Sequence, residues 1–270
     1  MAHAPTIDPV AAGGLGATER RDRWWTGPLA TGLGLGGFII YATFRAFYNA
    51  DYRLGAGTGV LEGHAFLLSP LYSPLIVVPA SLAWISPALF ILWAPGGFRV
   101  TCYYYRKAYY RAFFLDPVGC GVGEPSRFCG IQRGREYQGE SRLLLFQNLH
   151  RYFLYLALVF LVILSLDVFH SCRWPDGFGV SVGTLVLAVN TAMLTLYTAS
   201  CHSFRHLVGG RLDGFSRAPF GQLRYRLWEW TSALNAHHMF WAWTSLFGVG
   251  LADFYVWMVA SGVITDIRII

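Results

Sequence analysis

Histidine and cysteine are the residues of this sequence best suited to metal or redox chemistry, and they are unevenly placed. The chain contains eight histidines and five cysteines. Five of the histidines and four of the cysteines lie near one set of ends of the long hydrophobic segments, or in the polar connection beside them: His150, His202, His206, His237, His238, Cys102, Cys120, Cys129 and Cys201. Helical bundles build metal or haem sites from side chains that separate helices contribute at one depth. The pattern therefore predicts a metal or redox centre near one end of a helical bundle.

Three kinds of centre fit this set of side chains. A haem held by two histidines needs two imidazoles on facing helices and no thiolate. A Rieske-type [2Fe–2S] cluster takes two cysteines on one iron and two histidines on the other. Zinc binds two histidines and two cysteines equally well. His202 and His206 lie four residues apart, on one face of a helix, but the residues alone leave the three alternatives open.

The composition indicates that a membrane protein carries this site. Charged residues make up 13% of the chain and hydrophobic residues 54%, whereas about a quarter of a typical soluble domain is charged. So few charges cannot cover a soluble globular surface. The 17% aromatic content also excludes a disordered chain. We find no array of basic and aromatic residues typical of nucleic-acid binding, and we expect no nucleic-acid partner.

Five hydrophobic stretches are long enough to cross a hydrocarbon core of about 30 Å, which takes about 20 residues per helix. They are Pro28–Phe47, Pro74–Ala94, His150–Phe169, Phe178–Ser200 and His238–Ala260. We predict an all-α bundle of five transmembrane helices that forms one domain over residues 28–265, after a tail of residues 1–27. Pro79 and Pro87 predict a kink in the second helix.

The distribution of basic residues predicts the orientation in the cell membrane. Residues 1–27, 95–151 and 201–237 carry 17 of the 21 lysines and arginines, and basic residues concentrate in cytoplasmic loops. We therefore predict a cytoplasmic N-terminus, an outside C-terminus, and a long cytoplasmic connection, residues 95–149, between the second and third helices. The histidine and cysteine cluster then lies at the cytoplasmic interface.

Several unusual strings of residues resemble one family of membrane proteins. They are Thr101–Phe113, Leu115–Cys120, Gln147–Phe153, Cys201–His206 and Leu234–His238. With the five predicted spans and the cytoplasmic histidines, they make the chain similar to the membrane-anchor (cytochrome b-type) subunit of succinate dehydrogenase, or respiratory complex II. The similarity is greatest to the haem-free actinobacterial type.

This resemblance implies a function and a set of partners. In the family, a flavoprotein subunit oxidises succinate and an iron–sulfur subunit carries the electrons. The anchor docks both subunits and passes the electrons to quinone in the lipid membrane, and it has no succinate chemistry of its own. For the haem-free type the resemblance implies an embedded Rieske-type [2Fe–2S] cluster, and an anchor that carries haem b is the alternative.

Within that resemblance, particular residues are expected to form the site. The predicted cluster ligands are Cys102, Cys120, His202, His206 and His238. The two cysteines would bind one iron and two of the three histidines the other, with Cys201 as a reserve thiolate. Neutral imidazole ligands raise the reduction potential of such a cluster toward a range suited to quinone reduction. His150, Arg151 and Trp230 are expected to line the quinone pocket.

A membrane transporter is the other class of function to consider. Transporters place the substrate site near the bilayer midplane, commonly between inverted repeats. Here the polar side chains predicted near the midplane are Asn190, Thr191 and Thr195, and we find no repeat in the sequence. The sequence therefore favours the electron-transfer anchor over a transporter.

Overall fold

The computed structural model describes residues 23, 25–82, 84–113, 143–209 and 215–270. The α-helices in these ranges are α1 (Thr26–Tyr48), α2 (Pro87–Ile91), α3 (Trp93–Thr101), α4 (Tyr103–Phe113), α5 (Leu143–Ser171), α6 (Val182–Ala199), α7 (His202–Gly209), α8 (Gly221–Ala236) and α9 (His238–Ala260). Single 3₁₀ turns cover Pro70–Tyr72, Ala80–Leu82 and Phe215–Arg217. Two short antiparallel pairs join β1 (Arg53–Leu54) to β2 (Leu67–Leu68) and β3 (Arg173–Trp174) to β4 (Gly177–Phe178).

Four of the described helices are long and apolar enough to cross a membrane. They are α1, α6, α9 and the part of α5 from Leu145 to Ser171. Large apolar side chains on them face outward; Ile40, Val162 and Leu251 are 73%, 61% and 66% exposed. A lipid bilayer covers such side chains, whereas water would not tolerate so many in one patch. These helices correspond to the first, third, fourth and fifth predicted spans, and the predicted class of helical membrane protein is confirmed.

The prediction of one kinked helix for the second span is wrong. Residues 74–79 are not helical, and the 3₁₀ turn at Ala80–Leu82 and two short helices, α2 and α3, follow them. Pro87 is the first residue of α2, where its missing N–H costs nothing because the first N–H groups of a helix lack intrahelical partners. The prolines therefore divide this apolar stretch instead of bending a continuous helix, and the described residues contain four long apolar helices.

The described residues belong to two compact units. The first comprises Met1–Gly36 and Tyr103–Leu143, so its described part is the beginning of α1 together with α4. A Cβ atom added at Gly32 would lie 3.9 Å from both Ala112 and Phe113. α1 and α4 therefore approach each other closely at this glycine.

The second unit comprises Gly37–Cys102 and Leu144–Ile270 and contains a buried core. α6 packs along α9. A cluster of buried aliphatic side chains fills this region: Leu54, Leu67, Leu187, Val256 and Val259. α3 packs closely on α5, because a Cβ atom at Gly97 would overlap the ring of Phe153. This close packing positions the end of α3 beside α5.

A buried ion pair ties α1 to the C-terminal half of α9. Arg45 Nε donates to Asp253 Oδ2 at 2.8 Å, and both side chains are fully buried. Tyr41 and Ser69 also donate their hydroxyl protons to this carboxylate, each at 2.5 Å. Asp253 lies 15 residues after His238, which corresponds to about 22 Å along a helix. The ion pair and the histidine therefore lie at opposite ends of α9.

A second buried ion pair fixes the C-terminal segment. His64 Nε2 lies 2.8 Å from Asp266 Oδ2, and His64 Nδ1 lies 2.7 Å from the carbonyl oxygen of Ala65. Burial alone would lower the pKa of His64, but the interactions with Asp266 and the Ala65 carbonyl raise it above its ordinary value. Asp266 also accepts a hydrogen bond from the backbone N–H of Gly183 at 2.9 Å. The pair thereby connects the segment before β2 to the start of α6.

Candidate functional site

Two cysteines and two histidines from four places in the chain converge within the second unit. Cys102 directly follows α3, His150 belongs to α5, Cys201 lies between α6 and α7, and His238 begins α9. Cys102, His150 and Cys201 are only 3%, 3% and 2% exposed, and His238 is partly buried. The cluster therefore lies inside the unit and does not face lipid or water.

These four side chains form two thiol–imidazole pairs. His150 Nε2 lies 3.1 Å from Cys201 Sγ, and His238 Nε2 lies 3.6 Å from Cys102 Sγ. Both cysteines are free of disulfide bonds. Burial, and secondarily the neighbouring Cys102, raises the pKa of Cys201 to about 12. The Cys201 thiol is therefore protonated at neutral pH, and a metal must displace its proton to bind.

Hydroxyl groups fix the orientation of both imidazoles. His150 Nδ1 lies 3.0 Å from Thr101 Oγ1, which itself donates to the Gly97 carbonyl at 2.7 Å. A hydroxyl has a single proton to donate, so Thr101 accepts a proton from His150 Nδ1. His150 then carries its proton on Nδ1 and directs the lone pair of Nε2 toward Cys201.

The second imidazole is held in the same way. His238 Nδ1 lies 2.7 Å from Ser200 Oγ, and Ser200 donates its proton to the Tyr197 carbonyl at 2.9 Å. Ser200 therefore accepts from the Nδ1–H group, and the Nε2 lone pair of His238 points toward Cys102. Metal-binding histidines are held by a hydrogen bond at the ring nitrogen that does not bind the metal. Both imidazoles have this arrangement.

Aromatic rings cover the two imidazoles. The ring of Phe98 stacks on His150 with a centroid distance of 4.6 Å and an interplanar angle of 5°. The ring of Tyr197 stacks on His238 with a centroid distance of 5.2 Å. Phe98 and Tyr197 also contact each other edge to face, with centroids 5.5 Å apart. The two rings exclude water from this side of the cluster and restrict rotation of the imidazoles.

Arg99 places a positive charge beside the cluster. Its guanidinium carbon lies 4.7 Å from the centroid of the Tyr197 ring. Its nitrogens donate to the Ala242 carbonyl at 3.2 Å and to Ser245 Oγ at 3.0 Å. α9 therefore holds the guanidinium in place. The charge therefore lies against Tyr197, the ring that stacks on His238.

The structure brings together only part of the predicted ligand set. Cys102 and His238 are in contact, whereas His202 and His206 pair with each other, with their Nε2 atoms 3.1 Å apart. Cys120 lies outside the described residues. Within the described ranges, no three histidine, cysteine or acidic side chains are grouped so that they could hold one metal ion. The predicted ligand set therefore stays a prediction.

The residues predicted to line a quinone pocket lie in different surroundings. His150 is buried and directs Nε2 at Cys201. Arg151 is exposed on α5, and Trp230 on α8 is 50% exposed. The role of these three residues in quinone binding stays a prediction.

The residues that orient the imidazoles were not predicted from the sequence. Thr101 and Ser200 each accept a proton from a histidine Nδ1, as described above. The signal was present in the sequence, because each hydroxyl residue directly precedes a buried cysteine, in Thr101-Cys102 and Ser200-Cys201. Arg99 had no comparable signal, since its position over Tyr197 depends on how α3 packs against α6 and α9.

The fold and this site define an integral membrane protein with a buried thiol–imidazole cluster near the ends of its long helices. The model of a family described as actinobacterial succinate dehydrogenase subunit SdhC matches residues 26–262. The chain therefore belongs to the actinobacterial SdhC family, the membrane anchors of succinate dehydrogenase. The resemblance that the sequence strings indicated is confirmed, and the transporter alternative is not supported.

A solved structure gives the same result. The chain is similar to a chain of the Mycobacterium smegmatis Sdh1 complex in the apo form, with 39% sequence identity, coverage of 94% of each chain and a TM-score of 0.77. A comparison with curated proteins gives no match. The protein is thus a transmembrane subunit of a succinate dehydrogenase complex, which is an oxidoreductase.

Proposed function

We propose that this anchor passes electrons from the soluble subunits to quinone through a Rieske-type [2Fe–2S] cluster. In this proposal the flavoprotein and iron–sulfur subunits dock on the cytoplasmic face, which the arginine-rich segments identify by the positive-inside rule. The observation that carries the proposal is the orientation of two imidazole Nε2 atoms toward two buried thiols. In each imidazole a hydroxyl holds Nδ1 while Nε2 faces a thiol, as in histidines that bind metal.

The donor groups fit a Rieske-type cluster in type and number. Such a cluster needs two thiolates and two neutral imidazoles. We therefore assign its ligands as Cys102, Cys201, His150 and His238. The contacts join each cysteine to a histidine, whereas a Rieske-type cluster has both cysteines on one iron. Cluster binding would therefore require each cysteine to give up its contact with a histidine. Cys120 is the alternative second thiolate.

The residues around these ligands have separate tasks in the proposed electron transfer. A bound cluster supplies one-electron transfer between the soluble subunits and quinone. Thr101 and Ser200 hold the protons of both imidazoles on Nδ1. Phe98 and Tyr197 exclude water, and Arg99 compensates part of the negative charge of the thiolates.

Quinone reduction requires hydrogen-bond donors and a source of protons near the cluster. With His150 assigned as a ligand, Arg151 and Trp230 remain the proposed quinone contacts. Both side chains are exposed, Arg151 on α5 and Trp230 on α8, and in this proposal they meet the quinone at the cytoplasmic border of the membrane. The guanidinium and the indole N–H can each donate a hydrogen bond to a quinone oxygen.

Low-temperature electron paramagnetic resonance of the purified, reduced complex tests the ligand assignment. We expect a Rieske-type signal in the parent complex that is lost in Cys201→Ala and His150→Ala. Cys172→Ala is the matched control, because Cys172 is a free thiol that directly follows α5, at the end of this helix away from His150. Cys172→Ala should keep the full signal.

Two further outcomes separate the alternatives. Loss of the signal in Cys120→Ala together with its retention in Cys201→Ala would favour the thiolates predicted from the sequence. An optical spectrum of the same sample tests for haem, and strong haem bands without a Rieske-type signal would favour a cytochrome b-type anchor.

A further inference from the structure

His202 and His206 form a histidine pair outside the four-residue cluster. The two residues lie one turn apart on α7, and their Nε2 atoms are 3.1 Å apart. Their ring centroids are 4.7 Å apart and the planes lie at 83° to each other. Both residues are exposed. Each imidazole therefore directs the same ring nitrogen to one point at the protein surface.

This distance suits two ligands of one metal ion. Zinc–nitrogen bonds are about 2.0–2.1 Å long, so two nitrogens 3.1 Å apart would subtend an angle of about 95–102° at the metal. That angle is near the tetrahedral value. Without a metal, the two Nε2 atoms can share only one proton, so one ring must be the donor and the other the acceptor.

The surroundings hold the pair in place. A cleft of about 220 Å³ is lined by His202, Arg205, His206, Gly209 and Trp228. A Cβ atom at Gly209 would overlap the indole of Trp228, so α7 and α8 are in close contact at this glycine.

Further contacts join the same two helices. Arg224 on α8 donates to the Val208 carbonyl at 2.8 Å. The guanidinium of Arg205 lies 5.0 Å from the Trp228 ring, so its charge favours an anion in the cleft. We expect this anion to complete the coordination of a bound metal.

We propose that His202 and His206 form a binding site for a divalent transition metal of the zinc class, separate from the cluster of Cys102, Cys201, His150 and His238. Imidazole nitrogen is a preferred ligand of zinc, copper and nickel, whereas magnesium and calcium prefer oxygen. Two protein ligands leave positions open for water or an anion. The site is therefore expected to exchange its metal, unlike a closed structural zinc site.

Equilibrium dialysis of the whole purified complex against Zn²⁺ tests this proposal. The complex is first treated with a chelator, and bound zinc per chain is measured by mass spectrometry at increasing free zinc. Loss of an outer hydrogen-bond partner already weakens metal binding about 10–100-fold, so loss of a direct ligand in His206→Ala should weaken this zinc site at least as much. His170→Ala removes an exposed histidine near the C-terminal end of α5, outside the pair on α7. This variant should leave zinc binding unchanged.

The Rieske-type paramagnetic signal is recorded on the same samples. An unchanged signal in His206→Ala, together with weakened zinc binding, is the expected result. Equal zinc affinity of the parent and His206→Ala would overturn the proposal. Loss of the iron–sulfur signal in His206→Ala would also overturn it, because His206 would then be a ligand of the cluster. The zinc measurement does not depend on a cluster being present, so it remains informative if the proposed function is wrong.

Discussion

Replacement of Ser200 by alanine tests the proposed electron transfer directly. Ser200 is fully buried, and its hydroxyl accepts the Nδ1 proton of His238 at 2.7 Å. The Asn235 side chain donates to the Ser200 backbone carbonyl at 2.7 Å, which the substitution leaves intact. Ser200→Ala therefore removes the acceptor of His238, together with the hydrogen bond that the Ser200 hydroxyl donates to the Tyr197 carbonyl.

The size of the effect follows from the loss of that acceptor. A buried donor that loses its partner costs about 1–3 kcal/mol, which corresponds to about a 5–150-fold change in an equilibrium constant. In Ser200→Ala this free energy no longer holds the proton of His238 on Nδ1. A smaller fraction of His238 then has an unprotonated Nε2 that could bind iron. We therefore expect the cluster signal and the rate of quinone reduction to fall by about 10–100-fold, the usual range for such partners.

Two rates measured on the purified complex separate this effect from misassembly. The first is succinate-dependent quinone reduction, and the second is succinate oxidation with a soluble dye that accepts electrons from the partner subunits. We expect Ser200→Ala to lower the first rate and leave the second unchanged. Ser232→Ala is the matched control, because Ser232 donates to the Trp228 carbonyl at 2.7 Å without the imidazole contact that Ser200 makes. Parental quinone reduction in Ser200→Ala would refute the role assigned to His238.

Three further predictions concern stability, measured by thermal unfolding of the purified chain in detergent. Asp253→Asn leaves the buried charge of Arg45 without its partner and should cost about 3–5 kcal/mol; a loss below 1 kcal/mol would contradict a buried ion pair. Gly97→Ala should cost about 1–3 kcal/mol because its methyl group overlaps the aromatic ring packed on this glycine. Gly96→Ala, which meets open space, should change stability by less than about 0.5 kcal/mol, and equal losses would refute the packing argument. His64 has a raised pKa in the folded protein, so its ion pair contributes fully below the ordinary pKa of about 6.5 and is lost as pH rises through the raised value. The melting temperature of the parent should therefore exceed that of His64→Gln most at about pH 6, and the difference should shrink at higher pH; a difference independent of pH would contradict the ion pair.

Much of the membrane architecture could be predicted from the sequence because it depends on local composition. Four long apolar stretches form long helices, since about 20 apolar residues in a row leave few other stable structures in a bilayer. The second stretch, Pro74–Ala94, has a similar length and composition but is not one helix. Its prolines allow either a kink or a break. Which of the two forms depends on the neighbouring groups that can make hydrogen bonds with the backbone groups that proline leaves unpaired.

The end of the helices at which histidines and cysteines gather could also be predicted, but not which of these side chains are in contact. The sequence by itself determined that histidines and cysteines gather near one end of the helices, because position along a span sets depth in the membrane. Only the tertiary structure decided that His150 and Cys201 belong with Cys102 and His238, and that His202 and His206 face each other. The physical reason is that the depth of a residue in the membrane follows from its position along the helix, whereas the direction of its side chain depends on how the helix is rotated about its axis. That rotation is set by packing contacts such as that of Gly97 against the Phe153 ring, which no single segment of the sequence contains.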